Sequence, residues 1–226
     1  HDDQHGTAIV VLAGLINALK VVKKNKEAVR IVINGAGAAG VAITKLLHQY
    51  GLRRLVVCDS QGVISRKRRD LTKIKKEILK ITNPENTSGT LSNALKEADV
   101  FIGVSKGNLL KASDVKTMAE RAIVFAMANP TPEIMPSEAR RGGAFVVASG
   151  RSDFPNQINN VLVFPGIFKG AIASRTTEIT DKMKLAAALA LAAVVKKPTR
   201  ERIIPDPFDK RVVSAVANAV RRLARK

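Results

Sequence analysis

The chain has 226 residues, 46% of them hydrophobic, and a formal net charge of +19. This length and composition exclude wholesale disorder and predict a substantial core in one large domain, or in one domain with a small appendage. The single cysteine, Cys58, excludes a disulfide framework and indicates a reducing compartment. The longest apolar runs, 8–22 and 185–195, are shorter than the roughly 20 residues of a membrane span. We therefore expect a cytoplasmic protein without membrane association.

The positive charge is concentrated in two stretches. Residues 53–80 and 196–226 each contain 10 Lys and Arg against 3 Asp and Glu. Such a basic surface can bind nucleic acid through phosphate contacts. However, Phe208 is the only aromatic residue in these stretches, and the basic residues mingle with apolar ones at helical spacing. We therefore expect solvent-exposed helix faces that attract anionic ligands or an acidic partner domain, and no nucleic-acid binding.

Apolar periodicity predicts alternating helices and strands along the chain. The predicted helices cover 7–22, 41–47, 69–81, 91–98, 111–121, 137–141, 166–173, 180–195 and 210–225, and the predicted strands cover 31–34, 55–59, 100–104, 123–127 and 144–148. The strands are continuous apolar runs, which is typical of a parallel sheet covered on both faces. The predicted fold class is α/β: a doubly wound, mainly parallel sheet of the Rossmann type, with helices on both faces and a helical C-terminal part.

The whole chain is predicted to form one domain over 1–226. Within it, 1–25 is a leading helical segment, 26–165 is the Rossmann core and 166–226 carries the C-terminal helices. A doubly wound sheet binds its ligand at the carboxyl ends of its strands. We therefore expect the loops at those ends to face one crevice: 35–40, 59–60, 105–107, 129–130 and 149–151.

A glycine-rich turn follows the first predicted strand. Gly35 allows a tight turn, Gly37 allows the backbone to approach a pyrophosphate, and Gly40 allows helix and strand to pack closely. The phosphates would lie against the unpaired N–H groups and the positive end of the helix dipole. The predicted cofactor-binding residues of this turn are Gly35, Ala36, Gly37, Ala38, Ala39 and Gly40.

The second predicted strand ends in Asp59, 19 residues after Gly40, and is followed by Ser60. A carboxylate at this place can accept hydrogen bonds from both hydroxyl groups of an adenosine ribose. The sequence therefore predicts a dinucleotide-binding βαβ unit in which Asp59 and Ser60 contact the cofactor. The alternative is that Asp59 only caps a turn. Asp59 favours NAD because it repels a 2′-phosphate, but the basic run 66–69 could reach such a phosphate, so NADP is the alternative cofactor.

Four further segments occur in order along the chain: Asp-Asp-Gln-His-Gly-Thr-Ala (2–8), Phe-Ala-Met-Ala-Asn-Pro (125–130), Gly-Arg-Ser-Asp-Phe-Pro-Asn-Gln (150–157) and Asn-Asn-Val-Leu-Val-Phe-Pro-Gly (159–166). Together with the glycine-rich turn, they resemble the NAD-binding domain of malic enzymes, especially the smaller bacterial and archaeal forms. The resemblance covers essentially the whole chain.

This resemblance implies the oxidative decarboxylation of L-malate to pyruvate and CO₂, with NAD or NADP as the oxidant and Mg²⁺ or Mn²⁺ as the metal. By position in the motif, Asp3 corresponds to a metal ligand and Asp2 to the catalytic carboxylate beside the family's lysine. Carboxylate oxygens are the ligands that hard divalent cations prefer. Without the resemblance, this pair of acids would be interpreted as an N-terminal helix cap.

Two asparagines and one serine complete the implied site. Asn129 corresponds to a position that contacts the nicotinamide ribose or the substrate, and Asn160 to one that binds the malate carboxylate. An amide offers a donor and an acceptor without charge, although loop stabilisation is the alternative for both. Ser105 corresponds to a cofactor contact, but its loop departs from the small, proline-containing sequence of relatives. For Arg151 and Asp153 a structural ion pair is favoured over catalysis.

The family's N-terminal domain supplies a catalytic tyrosine, a catalytic lysine and two further acidic metal ligands. The only tyrosine here, Tyr50, fits no family catalytic position, and no lysine precedes Lys20. We therefore expect the chain alone to be inactive and to act with such a domain, in cis or as a separate chain, in the homo-oligomer that the family implies. The alternative is a non-catalytic dinucleotide-binding or interaction module.

Overall fold

The computed structural model describes residues 1–224, in which six strands form one sheet. The strands are β1 (Arg30–Asn34), β2 (Arg54–Asp59), β3 (Gly62–Val63), β4 (Val100–Gly103), β5 (Ile123–Ala126) and β6 (Val146–Ser149). Their order is β3-β2-β1-β4-β5-β6, and all neighbours are parallel except β2 and β3, which are antiparallel. The predicted doubly wound, mainly parallel sheet is confirmed, and the strand order reverses between β1 and β4.

Helices connect the strands and continue after the last one. They are α1 (Thr7–Val22), α2 (Ala38–Gln49), α3 (Lys73–Leu79), α4 (Leu91–Leu95), α5 (Ala112–Val115), α6 (Pro136–Arg141), α7 (Phe164–Ala173), α8 (Asp181–Val194) and α9 (Arg211–Ala224). A π-helical turn, Asp2–Gly6, precedes α1, and a 3₁₀ turn, Asn160–Leu162, precedes α7. The predicted helical C-terminal part is therefore present; the last predicted helical residue, Arg225, lies outside the described residues.

Alternate residues of each strand face two separate cores, one on each side of the sheet. Ile31 and Ile33 of β1 belong to the core that also holds α1, α2 and α8. Val32, between them, faces the core that holds α4, α5 and α6. Because both faces are covered by helices, the strands contain continuous apolar runs, such as 31–33 in β1 and 55–58 in β2, which is the pattern that the sequence displays.

Several elements differ from the sequence prediction, among them α3, which is shorter than the predicted 69–81, and α4, which ends before the predicted residue 98. The helix predicted over 111–121 is only the single turn α5, because the amide of Ala119 donates to the carbonyl of Ala98 and the carbonyl of Thr117 accepts from Glu97. These backbone groups pair with the segment before β4 instead of continuing the helix. The edge strand β3 was not predicted, since a strand of two residues is too short to display a period.

Helix α1 is buried nearly all round, as its composition predicts, with 13 of its 16 residues buried. It packs against α2 and α8. Together with the π-helical turn it forms a continuous helix of 21 residues, Asp2–Val22, which is longer than the apolar run suggested and is long and apolar enough to cross a membrane. Within this fold, 78% of its most apolar stretch is buried, so its apolar character is that of a core helix.

Asn17 is a polar exception on α1 and is fully buried. Its side-chain amide nitrogen donates to the carbonyl of Ala192, on α8, and to the carbonyl of Ile203, each at 2.9 Å. Burial of an amide is favourable only when its hydrogen bonds are formed. Through these two hydrogen bonds, Asn17 joins α1 to the C-terminal helical part of the chain.

We expect the substitution Asn17→Leu to lower the free energy of unfolding by about 1–3 kcal/mol, because two buried carbonyl groups lose their donor. Urea unfolding followed by circular dichroism measures the change. Gln49→Ala, at an exposed position near the end of α2, is the control and should change the free energy by less than about 0.5 kcal/mol. Equal effects of the two substitutions would contradict this role of Asn17.

Candidate functional site

A cleft of about 920 Å³ lies at the carboxyl ends of β1, β2 and β4. This is the edge at which a doubly wound sheet binds ligands, and the volume suits a ligand of cofactor size. Of the residues predicted from sequence, the cleft is lined by Gly35, Ala36, Gly37, Asp59, Ser60 and Ser105. Residues at the lining that were not predicted as site residues include Asn34, Gln61, Lys75, Thr90, Leu91 and Lys106.

The three glycines of the turn differ in the space that the fold leaves for a side chain. A Cβ atom on Gly35, which has a φ of +125°, would lie 2.7 Å from the carbonyl oxygen of Val104. A Cβ atom on Gly40 would lie 1.7 Å from the carbonyl oxygen of Gly35. A Cβ atom on Gly37 would meet no atom within 4 Å. The fold itself therefore requires Gly35 and Gly40, whereas Gly37 borders open space in the cleft.

Helix α2 begins immediately after Gly37, which is its N-cap residue. The first N–H groups of any α-helix lack an intrahelical partner, so those of Ala38 and Ala39 are available at this end. They carry the positive end of the helix dipole. The turn and the first turn of α2 together form a place for an anionic group such as a diphosphate.

Both carboxylate oxygens of Asp59 are engaged. Oδ1 accepts from Arg68 at 2.7 Å and from the backbone amide of Gln61 at 2.8 Å, and Oδ2 accepts from the ammonium group of Lys75 at 2.6 Å. Burial alone would raise the pKa of Asp59, but these hydrogen bonds outweigh it and lower the pKa below its usual value. Asp59 is thus a fixed, ionised acid that caps the turn to β3, as the alternative interpretation of the sequence expects, and it also lines the cleft.

The two cations beside Asp59 differ in position. Lys75 belongs to α3 and lines the cleft. Arg68 is held on its other side by Asp70, with which it forms an ion pair. Beside Asp59, the cleft therefore has one cation, Lys75, that faces the cleft and is bonded to Asp59 alone among the described residues. Lys75 is one of many lysines in a basic stretch, and sequence spacing could not single it out.

Ser105 follows β4 and is fixed by two hydrogen bonds. Its hydroxyl accepts from the side-chain amide of Asn34 at 2.8 Å, and its backbone amide donates to Glu133 Oε1 at 3.0 Å. Glu133 is fully buried and was not predicted from sequence. Burial raises its pKa, although backbone N–H donors, including those of Ser105 and Ala128, act in the opposite direction.

Asp2 and Asn160, predicted as the catalytic carboxylate and a substrate ligand, are in direct contact. The side-chain amide of Asn160 donates to Asp2 Oδ2. Asp2 Oδ1 is buried and has no hydrogen-bond partner among the described residues. A buried carboxylate oxygen without a partner is costly, so this atom has unused capacity to accept a hydrogen bond from a further group.

Four other residues singled out from the sequence are Asp3, Asn129, Arg151 and Asp153. Asp3 is exposed, and residues 1–224 contain no group of three His, Cys, Asp or Glu that could hold a metal ion. Asn129 is exposed, precedes a cis peptide bond to Pro130, and lies outside the lining of the cleft. The ion pair predicted between Arg151 and Asp153 is present at 2.7 Å.

Comparison with known proteins gives one consistent answer. Residues 4–225 match the family model described as malic enzyme, NAD binding domain. The chain is 54% identical to the bifunctional malic/malolactic enzyme of Bacillus subtilis over 99% of this chain and 55% of that protein, and 52% identical to the NAD-dependent malic enzyme of Geobacillus stearothermophilus over 97% and 46%. An NADP-dependent malic enzyme of Rhizobium meliloti is 44% identical over 99% of this chain and 32% of that protein.

Solved structures agree. The NAD-dependent malic enzyme of Thermotoga maritima superposes on this chain with a TM-score of 0.95 at 49% identity. The match covers 98% of this chain and 59% of the Thermotoga maritima chain. The malic enzyme of Pyrococcus horikoshii superposes with a TM-score of 0.94 at 45% identity, over 100% and 54%. The chain spans about half the length of the first relatives it matches. The chain belongs to the malic enzyme family, as its NAD-binding domain.

Proposed function

We propose that the chain is the cofactor-binding part of an enzyme that converts L-malate and NAD(P)⁺ to pyruvate, CO₂ and NAD(P)H. The observation that carries this proposal is the cleft, on which the glycine turn, Asp59 and Ser105 converge. The names of the relatives support the same reaction class, since they include NAD-dependent and NADP-dependent malic enzymes.

In this proposal, the diphosphate lies against the glycine turn and the first amides of α2. The adenosine ribose lies at Asp59, whose ionised carboxylate accepts from ribose hydroxyl groups. The nicotinamide half extends past Ser105 toward Asn129, across the ends of β4 and β5. NAD is the favoured cofactor because Asp59 repels a 2′-phosphate, and NADP is the alternative because Lys75 faces the same place.

Asp2 and Asn160 form the substrate end of the proposed site. The amide of Asn160 orients a malate carboxylate, and the unpartnered oxygen of Asp2 bonds to a group outside the described residues. Asp3 contributes one carboxylate to a Mg²⁺ or Mn²⁺ ion, which acts as a Lewis acid on substrate oxygens when bound. Since residues 1–224 contain no three-ligand group, the remaining ligands belong to another part of the enzyme.

An apolar face beside this site supports the presence of such a part. Phe164, Phe168 and Ile172 recur every four residues along α7 and are 39%, 42% and 74% exposed. They continue directly from Asn160 through Val161, which is also exposed. Exposed apolar residues that form one row mark an interface. We propose that this row contacts the N-terminal malic enzyme domain. The assembled enzyme is proposed to be a cytoplasmic homo-oligomer.

A chimera tests the proposal. When this chain replaces the matching segment of the Bacillus subtilis relative, we expect oxidation of malate in the presence of Mn²⁺ and NAD, whereas the chain alone binds NADH without turnover.

Asp3→Asn in the chimera should reduce turnover at least tenfold with unchanged NADH affinity, because a metal ligand is lost. Ile172→Lys should reduce turnover in the same way, because a charge is placed in the interface, and Asp209→Asn is the control.

A chimera that binds NADH but never oxidises malate would instead favour the non-catalytic dinucleotide-binding module. Turnover by the chain alone would contradict the assignment of essential groups to another domain. Absorbance of NADH reports turnover, and calorimetry reports affinity.

Gly37 and Gly40 separate the ligand requirement from the folding requirement. Gly37→Ala adds a methyl group to open space, so we expect a free energy of unfolding within about 0.5 kcal/mol of the native value. The same methyl group obstructs the approach of a diphosphate, and the dissociation constant of NADH should rise at least tenfold. Gly40→Ala, by contrast, should prevent stable folding. Unaltered NADH binding by Gly37→Ala would argue against the diphosphate at this turn.

Asp59→Asn should shift the preference from NAD toward NADP. The substitution preserves size but removes the charge that holds Lys75, which is then free to bind a 2′-phosphate. A charge-assisted hydrogen bond contributes about 1.5–3 kcal/mol, so the ratio of the two dissociation constants should change by about tenfold or more. Asp209→Asn is the control, since this acid pairs with Arg211 on α9. A ratio that stays constant would rule out the assigned ribose position.

A further inference from the structure

Glu133 is a fully buried acid on the segment after β5, and its carboxylate has no cationic partner within residues 1–224. Its Oε1 accepts from the backbone amide of Ser105, and its Oε2 accepts from the backbone amide of Ala128, each at 3.0 Å. A buried carboxylate is tolerated only when such donors replace water. Both oxygens are therefore committed to backbone groups, one in each of two different loops.

These two loops follow adjacent parallel strands. Ser105 lies just after β4, and Ala128 lies just after β5 and precedes Asn129. The backbone carbonyl of Glu133 also accepts from the amide of Leu110 at 2.9 Å, which ties the loop after β4 at a second point. Glu133 thus connects both loops at the edge of the sheet where ligands bind.

The fold makes space for this carboxylate at the end of β4. A Cβ atom on Gly103 would lie 2.3 Å from the carboxyl carbon of Glu133, so a larger residue there would displace this carboxylate. The connection also continues toward β1, because the hydroxyl of Ser105 accepts from Asn34, the residue before the glycine turn. One line of hydrogen bonds therefore runs across the ends of β1, β4 and β5.

We propose that Glu133 is a positioning residue for the nicotinamide half of the dinucleotide, since it sets the separation of the Ser105 and Ala128 loops between which that half lies. This inference rests on the proposed function. Glu133 does not itself contact the cofactor. Two acceptor oxygens are needed for two N–H donors, so glutamine, whose nitrogen cannot accept, can hold only one loop.

The adenosine half of the cofactor provides the internal control. ADP carries the adenosine and the diphosphate, which lie at Asp59 and the glycine turn and do not involve the Glu133 loops. A purely structural role of Glu133 would weaken ADP and NADH equally, through loss of folded protein. A positioning role would weaken NADH alone.

Calorimetric titration of the chain with NADH and with ADP decides between these roles. Thermal unfolding, followed by circular dichroism, first identifies a temperature at which each variant is folded. For Glu133→Gln we expect the dissociation constant of NADH to rise at least tenfold and that of ADP to change less than twofold. Glu138→Gln, at a partly exposed acid on α6, should alter neither. If Glu133→Gln does not fold, Glu133→Asp is judged by the same criterion, since its shorter carboxylate cannot reach both amides.

Equal losses of NADH and ADP affinity, unchanged NADH affinity, or failure of both variants to fold would overturn the positioning role. Failure of the native chain to bind either ligand would be a different result, since it would refute the proposed cofactor cleft itself. The two failures are therefore distinguishable within one set of titrations.

Discussion

The contact between Gly40 and the carbonyl oxygen of Gly35 is the constraint on which the cofactor cleft depends. There is no room for even one methyl group between them. This close approach lets α2 begin directly at the edge of the sheet, so that its first amides face the space beyond β1. A longer connection would leave those amides to water, and the sheet edge would present no positive end to a diphosphate.

Charge is organised on two scales around this constraint. The whole chain carries +19, which raises the local concentration of an anionic ligand near the surface. Within the cleft, specific pairs matter more than net charge. Asp59 remains ionised because Arg68 and Lys75 bond to it, and the same pairing limits the attraction of Lys75 for a further phosphate. In the proposed function, the preference between NAD and NADP therefore depends on how tightly Asp59 retains Lys75.

The sequence predicted the features that are encoded locally. The glycine turn and the apolar strands each lie within a few consecutive residues, and the structure has them at the expected places. Features that depend on contacts between distant segments were missed. Lys75 reaches Asp59 from a different element, and Glu133 reaches Ser105 from 28 residues away. The helix predicted over 111–121 failed for the same reason, since its backbone pairs with residues outside the segment.

The contact between Asp2 and Asn160 joins residues that are 158 positions apart. The βαβ unit around the glycine turn, in contrast, is assembled from neighbouring segments. During synthesis on the ribosome, the glycine turn and Asp59 are therefore translated long before Asn160. Any premature termination before Asn160 therefore yields a chain in which Asp2 lacks this partner.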